Sequence, residues 1–154
     1  MIDEGRDEEG YTALHRAAQG GNLLMLKRLL SWGADPTLRT PQEYSALHFA
    51  IMSGISPFLW NERRHTAEKA AVLLLRAEKS ISLFEVGCNS GEAKLTIYHL
   101  SAYAGLFGFI KTLLTDTNIN GVDVNCSNVH GITPLHLAKL NVGTENISDG
   151  EKDP

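Results

Sequence analysis

Residues 12–21 read TALHRAAQGG, and this stretch decides the fold because three related stretches follow it. They are SALHFAIMSG from Ser45, TIYHLSAYAG from Thr96 and TPLHLAKLN from Thr133. In each, a hydroxyl residue comes first, a histidine stands three positions later, and small residues follow. Such self-similarity indicates a repeat architecture, in which each unit buries its apolar face only by stacking on its neighbours.

Each stretch carries the signals of a short helix. The leading hydroxyl can cap a helix, Pro134 suits a first helical turn, and a glycine ends each of the first three stretches. A second apolar segment then follows in these three units, and it ends in a leucine pair, namely Leu29-Leu30, Leu74-Leu75 and Leu113-Leu114. The pattern predicts helix pairs over 12–30, 45–76 and 96–114, a single helix over 133–140, and no sizeable sheet.

Two longer stretches resemble the ankyrin repeat. DEEGYTALHRAAQGGNLLMLKRLLSWGADP (7–36) and NVHGITPLHLAK (128–139) follow its T-P-L-H-x-A phrase, and the first histidine spacing is the 33 residues of that repeat. Residues 41–75 and 91–114 match less closely, because Glu43 and Lys94 stand where the family usually has glycine. The resemblance implies an all-α solenoid of stacked helix-turn-helix units with hairpin-like turns.

The same register predicts the domain organisation. We expect an acidic lead (1–6), an ankyrin repeat domain (7–140) and a disordered tail (141–154). The repeats are predicted at 7–40, at 41–79 with an insertion at 55–69, at 91–120, and as a half repeat at 128–140. The insertion is expected to be a loop between the two helices of the second repeat. A half repeat fits either a short complete protein or a fragment of a longer array.

Composition excludes several classes of function. The net charge of -4 gives no reason to expect nucleic-acid binding, and the longest apolar run, six residues at 70–75, is too short to span a membrane. The N-terminus has no signal-peptide pattern, which favours the cytoplasm or nucleus and reduced thiols at Cys88 and Cys126. We also expect a monomer.

No catalytic motif, cofactor site or metal site is predicted. Cys88 with His99 is the one nucleophile–base candidate, and no orienting acid accompanies it. The resemblance instead implies that the recurring hydroxyl–histidine pairs brace neighbouring repeats, at Thr12, His15, Ser45, His48, Thr96, His99, Thr133 and His136. Equivalent histidines would stand a repeat apart, too far to share a zinc ion. His65 and His130 lie outside this motif and are expected to be exposed.

The resemblance further implies that a partner protein binds the concave side, which turn tips and first helices form. The matching positions are Glu8, Glu9, Tyr11, Gln19, Trp32, Gln42, Tyr44, Met52, Ser53, Tyr103, Val129, His130 and Ile132. Large aromatic residues and methionine are enriched at interfaces. For a tyrosine before the capping hydroxyl, the alternative role is packing against the next turn.

The insertion PFLWNERRH (57–65) offers a second candidate surface. It either packs back onto the array as a lid or binds the partner. Our hypothesis is that Trp60 anchors it while Arg63 and Arg64 face solvent near the concave side. The predicted function is a non-catalytic adaptor or inhibitor that binds another protein. An IκB-like inhibitor of a transcription factor, or part of a larger signalling or scaffold protein, is the alternative.

Overall fold

The computed structural model describes residues 4–55, 60–78, 95–115, 125–128 and 130–142. Over these residues the chain is all-helical. The seven helices are α1 (Ala13–Gln19), α2 (Leu23–Ser31), α3 (Ala46–Ser53), α4 (Trp60–Ala77), α5 (Ile97–Ala104), α6 (Phe107–Thr115) and α7 (Pro134–Val142). The predicted helix pairs and the predicted final helix are present, and an isolated antiparallel bridge joins Arg39 to Ser45.

The helices form two layers of a repeat array. The first helices α1, α3, α5 and α7 pack in sequence along one layer, and the second helices α2, α4 and α6 form the other, with α2 and α6 each against α4. Between the layers lies an apolar core, whose fully buried large side chains include Leu14, Leu26, Leu47, Ile51, Leu74, Ile97, Leu106, Phe109 and Leu113. Small buried residues such as Ala18 and Ala50 let the first helices approach closely.

From Trp60 onward the insertion at 55–69 is helical rather than a loop, and this corrects the prediction. Residues 60–69 form the first turns of α4, which is twice as long as α2 because it runs for 18 residues rather than 9. Ala67, Ala70 and Ala71 of α4 are fully buried, and a Cβ at Gly54 would lie 3.1 Å from the Ala67 Cβ. The extra residues therefore lengthen the second helix, because small side chains let it pack closely against the end of α3. Residues 56–59 lie outside the described residues.

Two smaller expectations also change. Leu29, Leu74 and Leu113 are buried, but Leu114 is exposed, so the leucine pair of α6 does not pack as a unit. The final helix continues to Val142, so the predicted tail begins with two helical residues. Residues 143–154 lie outside the described residues, as do Cys88, Lys94 and Val129.

Glu43 adopts the left-handed backbone conformation that the family pattern assigns to glycine. Its φ is 67°, close to those of Gly10 (83°) and Gly131 (73°) in the equivalent turns. A side chain at such a φ is strained by about 1–2 kcal/mol. The Glu43 carbonyl accepts a hydrogen bond from the Arg39 guanidinium, which any residue at this position can do.

Replacing Glu43 by glycine should therefore raise the free energy of unfolding by about 1 kcal/mol, because the relief of strain exceeds the entropy lost by a freer unfolded chain. Gly131→Ala is the matched control, since its Cβ would meet nothing within 4 Å and only the backbone penalty remains. It should lower stability by a similar amount. Urea unfolding of both variants measures this, and a destabilised Glu43→Gly would contradict it.

Candidate protein-binding surface

Three described turns precede the first helices, and they share one hydrogen-bonding pattern. The backbone N–H groups of Asp7, Thr40 and Asn128 each donate to the carbonyl four residues later, at 3.0, 2.9 and 3.0 Å. The side-chain oxygens of the same residues accept from the N–H of that later residue, at 2.8, 3.2 and 3.0 Å. The turns thus place Tyr11, Tyr44 and Ile132 at equivalent positions. Sequence reasoning missed these first residues, although Asp, Thr and Asn are typical of such turns.

The turns connect to the helices through the hydroxyl–histidine pairs. His15 Nε2 lies 3.1 Å from the Leu38 carbonyl and His99 Nε2 lies 2.8 Å from the Ile132 carbonyl, so both Nε2 atoms carry the proton and donate. The Nδ1 atoms then accept from the backbone N–H and hydroxyl of Thr12 and Thr96. Each imidazole therefore joins the start of its own helix to the turn of the next repeat. The predicted bracing geometry is present at both positions.

The other two pairs have the same local geometry in different surroundings. His48 is fully buried, and its Nδ1 lies 3.0 Å from both the backbone nitrogen and the hydroxyl of Ser45. His136 makes the same contacts to Thr133, at 3.1 and 2.8 Å, but is exposed. Burial lowers the pKa of His15, which favours the neutral ring.

Tyr11 and Tyr44 both contact Phe49, which sequence reasoning missed. The ring centroids of Tyr11 and Phe49 are 5.1 Å apart, and those of Tyr44 and Phe49 are 5.9 Å apart. Both tyrosines are half-buried and pack against the core. Phe49 follows the motif histidine, at the variable position of the family phrase. Both tyrosines therefore pack against the array, which is one of the two roles expected for them. Part of each side chain stays accessible to solvent.

Arg16 occupies the corresponding variable position in the first repeat, and it too was missed. Its guanidinium carbon lies 4.3 Å above the centre of the Tyr11 ring, and it pairs with Asp7 and Glu9 at 2.7 and 2.8 Å. It also donates to the Gln19 side chain at 3.0 Å. The hydrogen bond from the Tyr11 backbone and the contacts with Arg16 hold the pKa of Asp7 below its usual range. The acidic N-terminal turn is therefore partly neutralised.

A row of predicted residues crosses the first helices. Gln19, Met52 and Tyr103 occupy the same position in α1, α3 and α5, which pack side by side. Gln19 is exposed, Met52 is half-buried against the core, and Tyr103 is 43% exposed. We call the surface formed by α1, α3, α5, α7 and the described turns before α1, α3 and α7 the first-helix face. It contains most of the predicted partner-binding residues.

The other predicted residues lie in the turns of this face or at the end of a second helix. Gln42 and His130 are exposed in the second and fourth turns. Trp32 follows the last residue of α2 and is 63% exposed. It therefore stands at the end of the second-helix layer, and within the described residues no aromatic contact joins it to the tyrosines. His65 is exposed, as predicted.

Ser53 and Arg63 meet at the opposite edge, away from the turns. Together with Gly20, Gly21, Glu62 and Thr66 they line a cavity of about 260 Å³ between the α1–α2 connection and the first turns of α4. Arg63 is exposed, but Arg64 is half-buried, so the expectation that both face solvent is wrong for Arg64. The backbone of Trp60 begins α4, whereas its side chain lies outside the described residues.

The described residues offer no metal centre and no membrane span. Within these ranges no three His, Cys, Asp or Glu side chains converge so as to hold a metal ion. None of the helices there is both long and apolar enough to cross a membrane.

Known proteins place the repeat in a family. Residues 9–41 match the sequence model of the ankyrin repeat. The chain is 47% identical over 49 residues to an ankyrin repeat protein of Neisseria meningitidis serogroup B, which covers 32% of this chain and 19% of that protein. It is 34% identical over 133 residues to inversin of Canis lupus familiaris, covering 86% of this chain and 10% of inversin. The chain is therefore an all-helical array that contains ankyrin repeats.

One relative is named as an enzyme. The chain is 29% identical over 164 residues to the palmitoyltransferase ZDHHC17 of Danio rerio, covering 90% of this chain and 24% of that enzyme. The chain thus spans a quarter or less of the length of these three relatives.

Proposed function

We propose that this chain is a non-catalytic module that binds a partner protein through the first-helix face. Ankyrin repeats are typically protein-binding modules, and the row Gln19, Met52 and Tyr103 carries the proposal. Its three side chains project from adjacent helices at one register, so a partner could contact three repeats at once. Methionine and tyrosine are the side-chain types enriched where interfaces bury their central contacts.

The surroundings of this row support an apolar central contact with a polar rim. The half-buried Tyr11 and Tyr44 are held by Phe49, so their rings are ordered before binding and lose little entropy on contact. Arg16 pairs with Asp7 and Glu9 at one edge, which leaves a polar, partly neutralised border.

The geometry of His99 supports a non-catalytic role. A general base needs a free nitrogen within reach of its substrate. His99 is fully buried, its Nε2 donates to Ile132, and its Nδ1 accepts from Thr96. Cys88, the nucleophile that the sequence suggested for it, lies outside the described residues. We therefore assign His99 to bracing rather than to chemistry.

The finer identity of the function is also a proposal. We infer a monomeric adaptor or inhibitor with an ankyrin domain over 7–140, or the corresponding part of a larger protein. The relatives compared above are much longer than this chain, which fits the second form. An IκB-like inhibitor of a transcription factor is one specific form of this proposal.

Tyr103→Glu tests the binding face. Tyr103 is exposed on the first-helix face, so a charge there should weaken partner binding about tenfold or more. Leu24→Glu is the matched control, because Leu24 is also exposed but belongs to α2 in the other layer. Quantitative affinity capture with wild-type and variant bait measures retention of each captured protein, and circular dichroism checks the fold. Equal capture by Tyr103→Glu, or a loss only with Leu24→Glu, would place binding elsewhere.

A further inference from the structure

A second surface lies on the second-helix layer, between α2 and α4. It is an open groove of about 430 Å³, which is within the range of sites that bind ligands. Leu23 of α2 and Val72 and Leu73 of α4 form its apolar floor. We call it the α2–α4 groove. None of its lining residues belongs to the first-helix face, so it is independent of the proposed function.

Basic side chains border this apolar floor. Lys27 lies one helical turn after Leu23 on α2, and Lys69 and Arg76 lie on either side of Val72 on α4. The positions 65, 69, 72 and 76 are spaced by four, three and four residues, which puts them on one helix face. All three cations are exposed, and among the described residues none of them forms an ion pair.

The one acid in the groove is already engaged. Glu68 accepts a hydrogen bond at 2.8 Å from the backbone N–H of Gly108, the second residue of α6. The partial positive charge at the start of a helix offsets a carboxylate placed there. The charge that an incoming ligand meets is therefore positive.

This positive charge is a property of the whole layer. Helices α2, α4 and α6 contain two acids, Glu62 and Glu68, against seven basic residues, namely Lys27, Arg28, Arg63, Arg64, Lys69, Arg76 and Lys111. The complete chain has the opposite balance, with 18 acidic and 14 basic residues. Charge is thus segregated, and the second-helix layer attracts anions although the protein is acidic overall.

We propose that the α2–α4 groove binds an acidic amphipathic helix of a partner protein. Its apolar side chains would fill the floor over Leu23, Val72 and Leu73, and its Asp or Glu side chains would pair with Lys27, Lys69 and Arg76. Helix-in-groove recognition combines these elements, with apolar anchors every three or four residues.

The shape of the groove favours a helix over a membrane surface. Its lining on α4 extends over 12 residues from His65 to Arg76, and the 11 steps between them correspond to about 16 Å along the helix axis. A peptide helix of about three turns covers that length. Leu23, Val72 and Leu73 are half-buried and pack against the core, and the surrounding cations are exposed. Insertion into a bilayer instead requires an exposed apolar face.

Fluorescence anisotropy with designed peptides tests this proposal. The probe is an acetylated peptide of about 14 residues, with leucines on one helix face and glutamates beside them. A scrambled peptide of the same composition and a version with lysine for glutamate are its controls. We expect the probe to bind at least about tenfold more tightly than either, because only it combines an apolar stripe with negative flanks.

Matched protein variants locate the site. The double variant Lys27→Glu with Lys69→Glu should weaken binding of the probe about tenfold. Arg28→Glu with Lys111→Glu makes the same change in net charge on the same layer, but neither residue lines the groove. It should change the affinity by no more than about twofold.

Several results would overturn the proposal. They are equal binding of the scrambled peptide, no binding of the probe, and an equal loss in the two double variants. Wild-type protein that sediments with phosphatidylserine vesicles while ignoring the probe would identify a membrane-facing patch instead.

Discussion

Replacing His99 by alanine is expected to lower the free energy of unfolding by about 3 kcal/mol. The imidazole is fully buried and joins two repeats. Its Nε2–H donates to the Ile132 carbonyl at 2.8 Å, and its Nδ1 accepts from the Thr96 hydroxyl at 2.9 Å and from the Thr96 backbone N–H at 3.3 Å. Alanine would leave the Ile132 carbonyl and the Thr96 N–H and hydroxyl without their hydrogen-bond partner. It would also create a cavity between α5 and the turn that contains Ile132.

The fourth repeat supplies a matched control for this variant. His136 makes the same two local contacts with Thr133, but its side chain is exposed. Water can replace its hydrogen bonds, so His136→Ala should lower stability by less than about 1 kcal/mol. Chemical denaturation with matched slopes measures both variants. Equal losses of unfolding free energy in the two variants would mean that His99 acts only as a local helix cap. If neither variant lost stability, the histidines would have no structural role.

The histidines show why much of the fold was predictable. A hydroxyl and a histidine three residues apart meet within a single helical turn, so their spacing in the sequence already determines their geometry. The repeat register then places the next turn beside the ring. The contacts of His15 with Leu38 and of His99 with Ile132 follow from that register.

For the insertion at 55–69, the repeat register led to a wrong prediction, a loop in place of a longer helix. Counting residues between motifs gives the size of an insertion, but it does not distinguish a longer loop from a longer helix. A local signal was available, because the buried residues Ala67, Ala70, Ala71 and Leu74 recur at helical spacing. We overlooked this spacing because the second repeat was aligned to the first, whose second helix is only half as long.

The α2–α4 groove was less accessible to sequence reasoning for a different reason. Leu23 and Lys27 are more than 40 residues from Lys69 and Val72, and only the packing of α2 on α4 brings them together. The overall charge of -4 pointed away from an anion-attracting surface. Net charge describes the chain as a whole, whereas the fold sorts positive side chains into one layer.

Glu78→Gln is expected to stabilise the protein by about 2 kcal/mol at pH 8 and to have no effect at pH 4.5. Glu78 follows the last residue of α4 and is buried, and its backbone N–H continues the helix by donating to Leu74 at 2.9 Å. Burial raises the pKa of its carboxyl group to about 7, the positive charge of Arg39 opposes this shift, and Asp35 adds to it. The partial negative charge at a helix C-terminus also disfavours the carboxylate.

The sign of the pH dependence follows from the two protonation states. The folded protein holds the Glu78 proton up to about pH 7, whereas an unfolded chain releases it near the ordinary value of 4.5. The stabilisation from the protonated group is therefore fully present below pH 4.5 and is lost as the pH rises through 7. Glutamine resembles the protonated acid at every pH, so it avoids this loss.

The difference in unfolding free energy between Glu78→Gln and wild type, followed from pH 4.5 to 8, isolates this one group. All other titrations are common to both proteins and cancel. Glu62→Gln is the control, because it removes the same charge from an exposed position on the same helix. If the difference in unfolding free energy between Glu78→Gln and wild type does not change from pH 4.5 to 8, the prediction is wrong. Burial at the end of α4 would then not oppose the charge of the Glu78 carboxylate.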